Sequence, residues 1–504
     1  MPGVPSAAST TARGEEDNNG LIVSPFRALR YDPARVSSLA AVTSPPYDVV
    51  EESEARTLES ADPHNIIRLI LPREDDCGPE GPYEHAAQTL RAWIADGTLR
   101  RDPDPAIYVL EQVQEQDGRR LRGILGALTL SGPEWRVILP HEDVMPDPVE
   151  DRLALLTATR ANLEPIFLVY DGGGGDTATI VDSVIASVAP VLTTTTTDGV
   201  THRLWTITDA NQLATIADDL RPRQALIADG HHRYTAYLRY QQDRRRRDGP
   251  GPWDRALALL VDTAQTPPDL SSITRVVPGL SFEQALRDVG PQVEVSLLHE
   301  PGDVLARLLH HNMRNQDMRN QDMSSDVTRS ATPALADAAM AIVDGDRRVA
   351  LLTIVDPEYQ DVSAAEFLTA VLLAQRWRDR SDGDADGRDT HTKTDHTDTD
   401  DTDTDDTDTD DTDTDTDIDD GTDATDDTGT PDTVGGDRDV RYVHDVDTAI
   451  RLAAETGGVA IVLRPPTVEQ VVAVAQSGRT MPRKSTAFGP KPRDGLVMRT
   501  LGEG

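Results

Sequence analysis

The chain has a single cysteine, Cys77, in 504 residues, only 4 % aromatic side chains, and no apolar run long enough to cross a bilayer. One cysteine forms no internal disulfide, and Asp75, Asp76, Gly78 and Pro79 around it supply nothing that would activate a thiolate, so an inert loop thiol is expected. The longest apolar runs, 256–261 and 367–374, are core-sized. Residues 1–20 also lack a basic stretch followed by an apolar one, so no secretory signal is read and a cytoplasmic location is expected. Positive charge is scarce as well. A formal charge of −39 disfavours nucleic acid and anionic membrane partners, because both need clustered Lys and Arg facing phosphates. A small-molecule substrate remains the expected partner, and the oligomeric state is not read.

The acid is unevenly placed. Residues 381–440 hold 25 Asp, no Glu and three basic residues, a net charge of −22, which leaves −17 for the other 444 residues. The Thr-Asp alternation there has a strand's period but no face to bury, so 379–438 is predicted to be a disordered insertion. Calcium loops need a glycine-punctuated turn that converges oxygens on one point, and none is present. The tandem Met313-Arg314-Asn315-Gln316-Asp317 and Met318-Arg319-Asn320-Gln321-Asp322 reads as local duplication in a loop. The expected organisation is a disordered 1–20, a main α+β region over 21–378 of one or two subdomains, the insertion, and a segment 439–504 that completes the fold.

Elsewhere short apolar runs alternate with amphipathic stretches. Residues 106–113 and 123–130 read as a hairpin turned at Asp117-Gly118. A helix is predicted from Asp147, with Pro148 just inside its start, ending before Pro165. Residues 166–170 read as a buried strand; 283–289, 304–310, 364–376 and 468–476 read as helices, and 460–463 as a strand. The fold class is α+β, mixed sheets with packed helices, rather than a regular βαβα chain.

The sharpest local feature is an apolar strand, 224–228, running into Asp229-Gly230-His231-His232-Arg233 and then a helix with Tyr234, Tyr237 and Leu238 on one face. A helix N-terminus offers free N–H groups and a positive dipole end, and two imidazoles plus a guanidinium add donors, so a phosphate site is expected. The same dipole would keep a histidine neutral and fit for acid–base work. The plain alternative is an Asp cap with surface histidines. Arg244 to Arg247 close this helix, either as a solvated end favoured by the dipole or as a polyanion site. His141-Glu142 could do acid–base work or hold a cation, or simply end a strand. Lys484, Ser485 and Thr486, with Lys491 beyond, could clamp a phosphate or only pack, and no glycine cradle makes them a P-loop.

Pro45-Pro46-Tyr47-Asp48-Val49, Asn65 to Leu69 with Arg68, Pro140-His141-Glu142, Asp151-Arg152-Leu153, Ala158 to Asn162, Asp229 to Tyr234 and Met481 to Leu496 together resemble the domain of unknown function 1015 family. The Asp-Gly-His-His-Arg segment is similar to the signature of free-serine kinases of the ParB/sulfiredoxin-like superfamily, which implies a ParB/sulfiredoxin-like element around that helix. The resemblance implies a nucleotide-dependent phosphotransferase, an ATP- or ADP-dependent small-molecule kinase acting on a hydroxylated metabolite with Mg²⁺. It implies His231, His232, Glu142 and Asp48 as catalytic, with Asp229, Gly230, Arg233, Arg68, Arg152, Lys484 and Lys491 on the nucleotide. Asp229 and Glu142 would hold the metal. The chain departs from the family pattern at Asp143, Val144, Val149 and Thr274. The alternative is therefore a non-catalytic nucleotide- or phosphate-binding regulatory protein.

Overall fold

A computed structural model describes residues 20–298, 338–359, 362–377 and 440–502, together with Leu305 and Leu308. The Asp/Thr-rich insertion, the tandem pentapeptide, nearly all of 1–20 and most of the helix expected over 304–310 lie outside the described residues.

Two sheets organise the chain, and both are flanked by helices, so the architecture is α+β. The larger has nine strands: β1 (Val23–Ser24), β2 (Ile107–Gln114), β3 (Arg120–Thr129), β4 (Ile138–Leu139), β5 (Ile166–Tyr170), β6 (Leu192–Thr195), β7 (Val200–Ile207), β8 (Ala225–Asp229) and β9 (Arg255–Asp262). Their spatial order is β4-β8-β5-β9-β3-β2-β7-β6, with β1 paired to β3. The predicted hairpin is β2 with β3, Tyr108 opposite Leu125, and its turn uses Gly118 at φ 70°. Continuous apolar runs are what a doubly covered strand requires, and every residue of β5 and β8 is buried.

The smaller sheet contains β10 (Thr274–Val277), β11 (Val293–Leu298), β12 (Met340–Val343), β13 (Val349–Ile354), β14 (Arg441–Val443) and β15 (Val459–Leu463), in the order β11-β13-β12-β15-β10-β14. Residues beyond the acidic insertion thus supply β14 and β15. The chain then returns to the first lobe: Val471, Met481, Phe488 and Leu496 share a core with Phe167, Leu226 and Leu259. The helix expected over 364–376 is present as Ala364–Phe367 continuing into a π-helix, Leu368–Arg376, and Ser363 closes a capping box with Glu366.

Three helices matter for the site. α1 (Pro146–Thr159) begins with proline in its first turn and stops at Arg160 in the left-handed region, five residues earlier than Pro165 alone would impose. α2 (His231–Asp248) follows β8 directly and buries Tyr234, Ala236, Tyr237 and Tyr240. α3 (Val468–Gln476) opens with Thr467 and Gln470 in a capping box. The Arg244–Arg247 run closes α2 as a paired, dipole-favoured end: Arg245 bonds Asp254, Arg246 bonds Asp243, and Arg244 bonds Asp248 at 3.0 Å.

Candidate functional site

The turn from β8 into α2 is made possible by Gly230, which caps the helix at φ 97°, ψ 31°. A side chain there would be strained, and its Cβ would sit 3.1 to 3.3 Å from the Arg233 guanidinium. The cap is the glycine, not Asp229. Both Asp229 oxygens are engaged elsewhere: Oδ2 accepts from Arg233 Nη2 at 2.5 Å and Oδ1 meets Lys491 Nζ at 2.6 Å. Lys491 also donates to Asp48 Oδ2 at 2.9 Å, so one ammonium joins the first lobe's strand end to the short helix Tyr47–Val49.

The two histidines are pinned by the loop between β4 and α1. The His141 amide points at His231 Nε2 (3.4 Å), and the Met145 amide donates to His232 Nε2 at 3.1 Å. Nitrogens that accept carry no proton, so each imidazole holds its proton on Nδ1. Burial, reinforced by His141, His232, Arg233 and Lys491, drops the His231 pKa well below normal; burial and Lys484 depress that of His232. Both rings are neutral. His141 packs edge-on to His231 at 4.6 Å between centroids, its Nε2 lies 2.8 Å from Thr486 Oγ1, and burial lowers its pKa to about 4.

The carboxylates around Lys491 and Lys484 are pushed apart. Burial opposes ionisation of Asp48, yet Lys491, Arg233 and Lys484 outweigh it and hold the carboxyl below its usual range. Burial raises Glu142 despite Lys484, whose backbone N–H donates to Glu142 Oε1 at 2.9 Å. Lys484 is held at φ 56°, and its ammonium has no hydrogen-bond or ion-pair partner among the described residues. His444, exposed at the end of β14, lies in the field of Lys491, Lys484, Asp48 and Asp229.

Several expected phosphate contacts face inward instead. Arg233 is 3 % exposed and is spent on Asp229, on the Pro165 carbonyl at 2.8 Å and on Glu164 at 3.6 Å. Arg152 donates to the Ile70 carbonyl at 2.7 Å and to Asp151, sits 3.4 Å from Glu164, and places its guanidinium 4.0 Å from the Tyr47 ring centre. It therefore supports the Tyr47-Asp48 turn from below. Arg68 donates to the Glu59 carbonyl at 3.1 Å and makes no contact with Asp48, Asp229 or Lys491. Helical spacing carried the signal for two of these reversals: Arg233 stands three and four residues before buried Ala236 and Tyr237, and Arg152 before Leu155 and Leu156.

The pairing of Asp229 with Glu142 as Mg²⁺ ligands does not fit these surroundings. Asp229 is saturated by two cations, and Glu142 Oε1 already accepts the Lys484 backbone N–H. Among the described residues no group of three or more His, Cys, Asp or Glu could hold a metal ion. Asp143, an added acid relative to the family pattern, is exposed.

Sequence reasoning passed over the buried pair Asp494 and Glu164. Asp494 is 1 % exposed, and burial plus the neighbouring Glu164 raises its pKa well above normal. It stands beside Glu164 and the Arg233–Asp229 bridge. The only signal was an Asp-Gly step inside the 481–496 motif.

Similarity to solved structures is broad in coverage and low in measure. SbnI with a C-terminal truncation, from Staphylococcus aureus, is 10 % identical with a TM-score of 0.32, covering 74 % of this chain and 86 % of that one. A free serine kinase in complex with AMP is 11 % identical with a TM-score of 0.31, covering 73 % and 87 %. A conserved hypothetical protein from Pyrococcus furiosus is 11 % identical with a TM-score of 0.31, covering 75 % and 97 %. No curated protein matches the sequence. Among the described residues no helix is long and apolar enough to cross a membrane. The family described as "Protein of unknown function (DUF1015)" matches residues 23–368, more than half of the chain, with all of the larger sheet and four of the six strands of the smaller, and the chain belongs to that family.

Proposed function

We propose that the chain is a phosphotransferase that takes a phosphoryl group from a nucleotide, ATP or ADP, to a hydroxyl of a small metabolite. The observation that carries this reading is the opposite displacement of two carboxyl groups: Asp48 is lowered and Glu142 raised, the Lys484 backbone N–H bonds Glu142, and the unpaired Lys484 ammonium acts on both. Carboxyls pushed apart in this way divide into a charge-holding group and a proton-transfer group. Glu142 accepts the proton of the attacking hydroxyl, whose oxygen forms the new bond to phosphorus. The bond from phosphorus to the nucleotide's bridging oxygen breaks, its electron pair stays on the nucleotide, and Lys484 offsets that charge. The Nδ1–H groups of His231 and His232 are neutral donors suited to phosphate oxygens. Lys491 keeps Asp48 and Asp229 from repelling the incoming anion.

The test is thermal unfolding with and without ADP, since a ligand of the folded state raises the midpoint. Lys484→Met and Lys491→Met should abolish the ADP shift. Glu142→Gln should keep it, yet yield no phosphorylated product by ³¹P NMR when ATP or ADP is mixed with hydroxylated metabolites. An unchanged shift in both lysine variants sinks the reading. A second reading, a nucleotide- or phosphate-binding regulatory protein without catalysis, is favoured by the inward turn of Arg233 and Arg152, which removes two cations from the phosphate side. It expects the ADP shift and no product with any hydroxylated compound.

A further inference from the structure

The second lobe buries a cation, Arg275, that forms no ion pair among the described residues. Arg275 lies on β10 opposite Tyr442 of β14 and Ile461 of β15, beside the wholly apolar strands β12 and β15. It is 1 % exposed. Nη1 donates to the Ile273 carbonyl at 2.8 Å, the guanidinium stands 5.5 Å from the Tyr442 ring centre, and Nη2 has no hydrogen-bond partner. A buried charge without a partner is costly, and an apolar residue of similar size would serve the sheet better. Sheet packing therefore does not account for an arginine here.

Its surroundings indicate what it serves. The one acidic group of the site whose field Arg275 feels is Glu142, whereas Lys491, Asp48 and Asp229 lie with the β8–α2 turn. A cavity of about 240 Å³ is lined by Ser272, Leu463, Arg464, Met481 and Ser485, and Leu463 lies two residues beyond Ile461, the strand partner of Arg275. It borders the segment whose Lys484 amide holds Glu142. We propose that Arg275 binds an anionic group, carboxylate or phosphate, of the molecule that receives the phosphoryl group, beside the base that deprotonates it. This rests on the phosphotransfer reading above. The first lobe then handles the donor, and the second lobe selects an acceptor that carries both a hydroxyl and a negative charge. A planar fork of N–H donors suits either anion.

The experiment uses the full chain with glycolate and glycerol phosphate, the smallest hydroxyl-bearing carboxylate and phosphate, and with glycerol as the uncharged control, each in the presence of ADP. At least one anion should raise the wild-type midpoint saturably, its identity naming the group, and glycerol should not. Arg275→Met should unfold at or above the wild-type temperature, keep the ADP shift, and bind that anion at least tenfold more weakly. Arg275→Lys, which keeps charge but loses the fork, should fall between. A lower midpoint in Arg275→Met with anion binding intact in both variants would make the residue structural and overturn the proposal, as would a wild type that responds to neither anion. If the anion binds through Arg275 while ADP has no effect, the phosphotransfer reading fails and the anion site stands.

Discussion

The first lobe buries Arg233 and Arg152 among Glu164, Asp229 and Asp151, whereas the second lobe buries Arg275 with one backbone carbonyl and the ring of Tyr442. The difference separates two uses of a guanidinium. Where carboxylates and carbonyls surround the fork, the charge belongs to the architecture, and it sets the positions of β8, α1 and the Tyr47-Asp48 turn. Where they do not, the lobe carries a group that makes it less stable than an apolar sheet would be.

The largest test of this contrast is Arg233→Met. Removing the cation takes one of two positive partners from each of Asp229 and Glu164 in a buried site, so a loss of about 3 kcal/mol is expected in denaturant unfolding, against none for Arg275→Met. Equal losses in the two variants would erase the distinction.

Acid should act mainly on the first lobe. His141 and His202 are both 1 % exposed and both have folded-state pKa values lowered by burial to about 4, with Arg493 reinforcing the shift at His202. The unfolded chain binds protons more readily than the folded one between about 6.5 and 4. Stability should therefore be intact at pH 7 and fall as pH falls through that window, by up to about 3 kcal/mol for each ring. His141→Gln should flatten the decline, measured as unfolding midpoint against pH.

Lys491→Met should weaken ADP binding at least tenfold and cost about 1–3 kcal/mol, since Asp48 and Asp229 lose the ammonium they share. Gly230→Ala should cost about 1–2 kcal/mol because φ 97° is left-handed backbone, and the displaced Arg233 would add to it. Smallest is Asp494→Asn. The raised pKa of Asp494 means that wild-type stability drops as pH rises from about 4 towards the folded-state value. The asparagine variant should lack that slope and lose no stability relative to wild type at pH 7, as read by unfolding at several pH values.

Local order was largely legible in the chain. Alternating apolar residues with Asp117-Gly118 between them gave the β2–β3 hairpin, and an apolar strand meeting Gly230 gave the β8–α2 junction. Proline marked the start of α1, and its end falls before Pro165 as expected, set by a left-handed Arg160 rather than by the proline. Of the candidate site, Asp48, Asp229, His231, His232, Glu142, Lys484 and Lys491 do meet. Arg68 does not, and Arg152 and Arg233 turn the other way.

Composition and periodicity by themselves determined the α+β class, the strand–turn–helix and the set of polar residues available, because each depends on neighbours within a few positions. Only the tertiary structure decided which charges are spent. Whether a guanidinium faces a ligand or a carboxylate depends on segments far apart in sequence, Asp48 with Lys491 or Glu142 with Lys484, and on the burial that makes an unpaired charge costly.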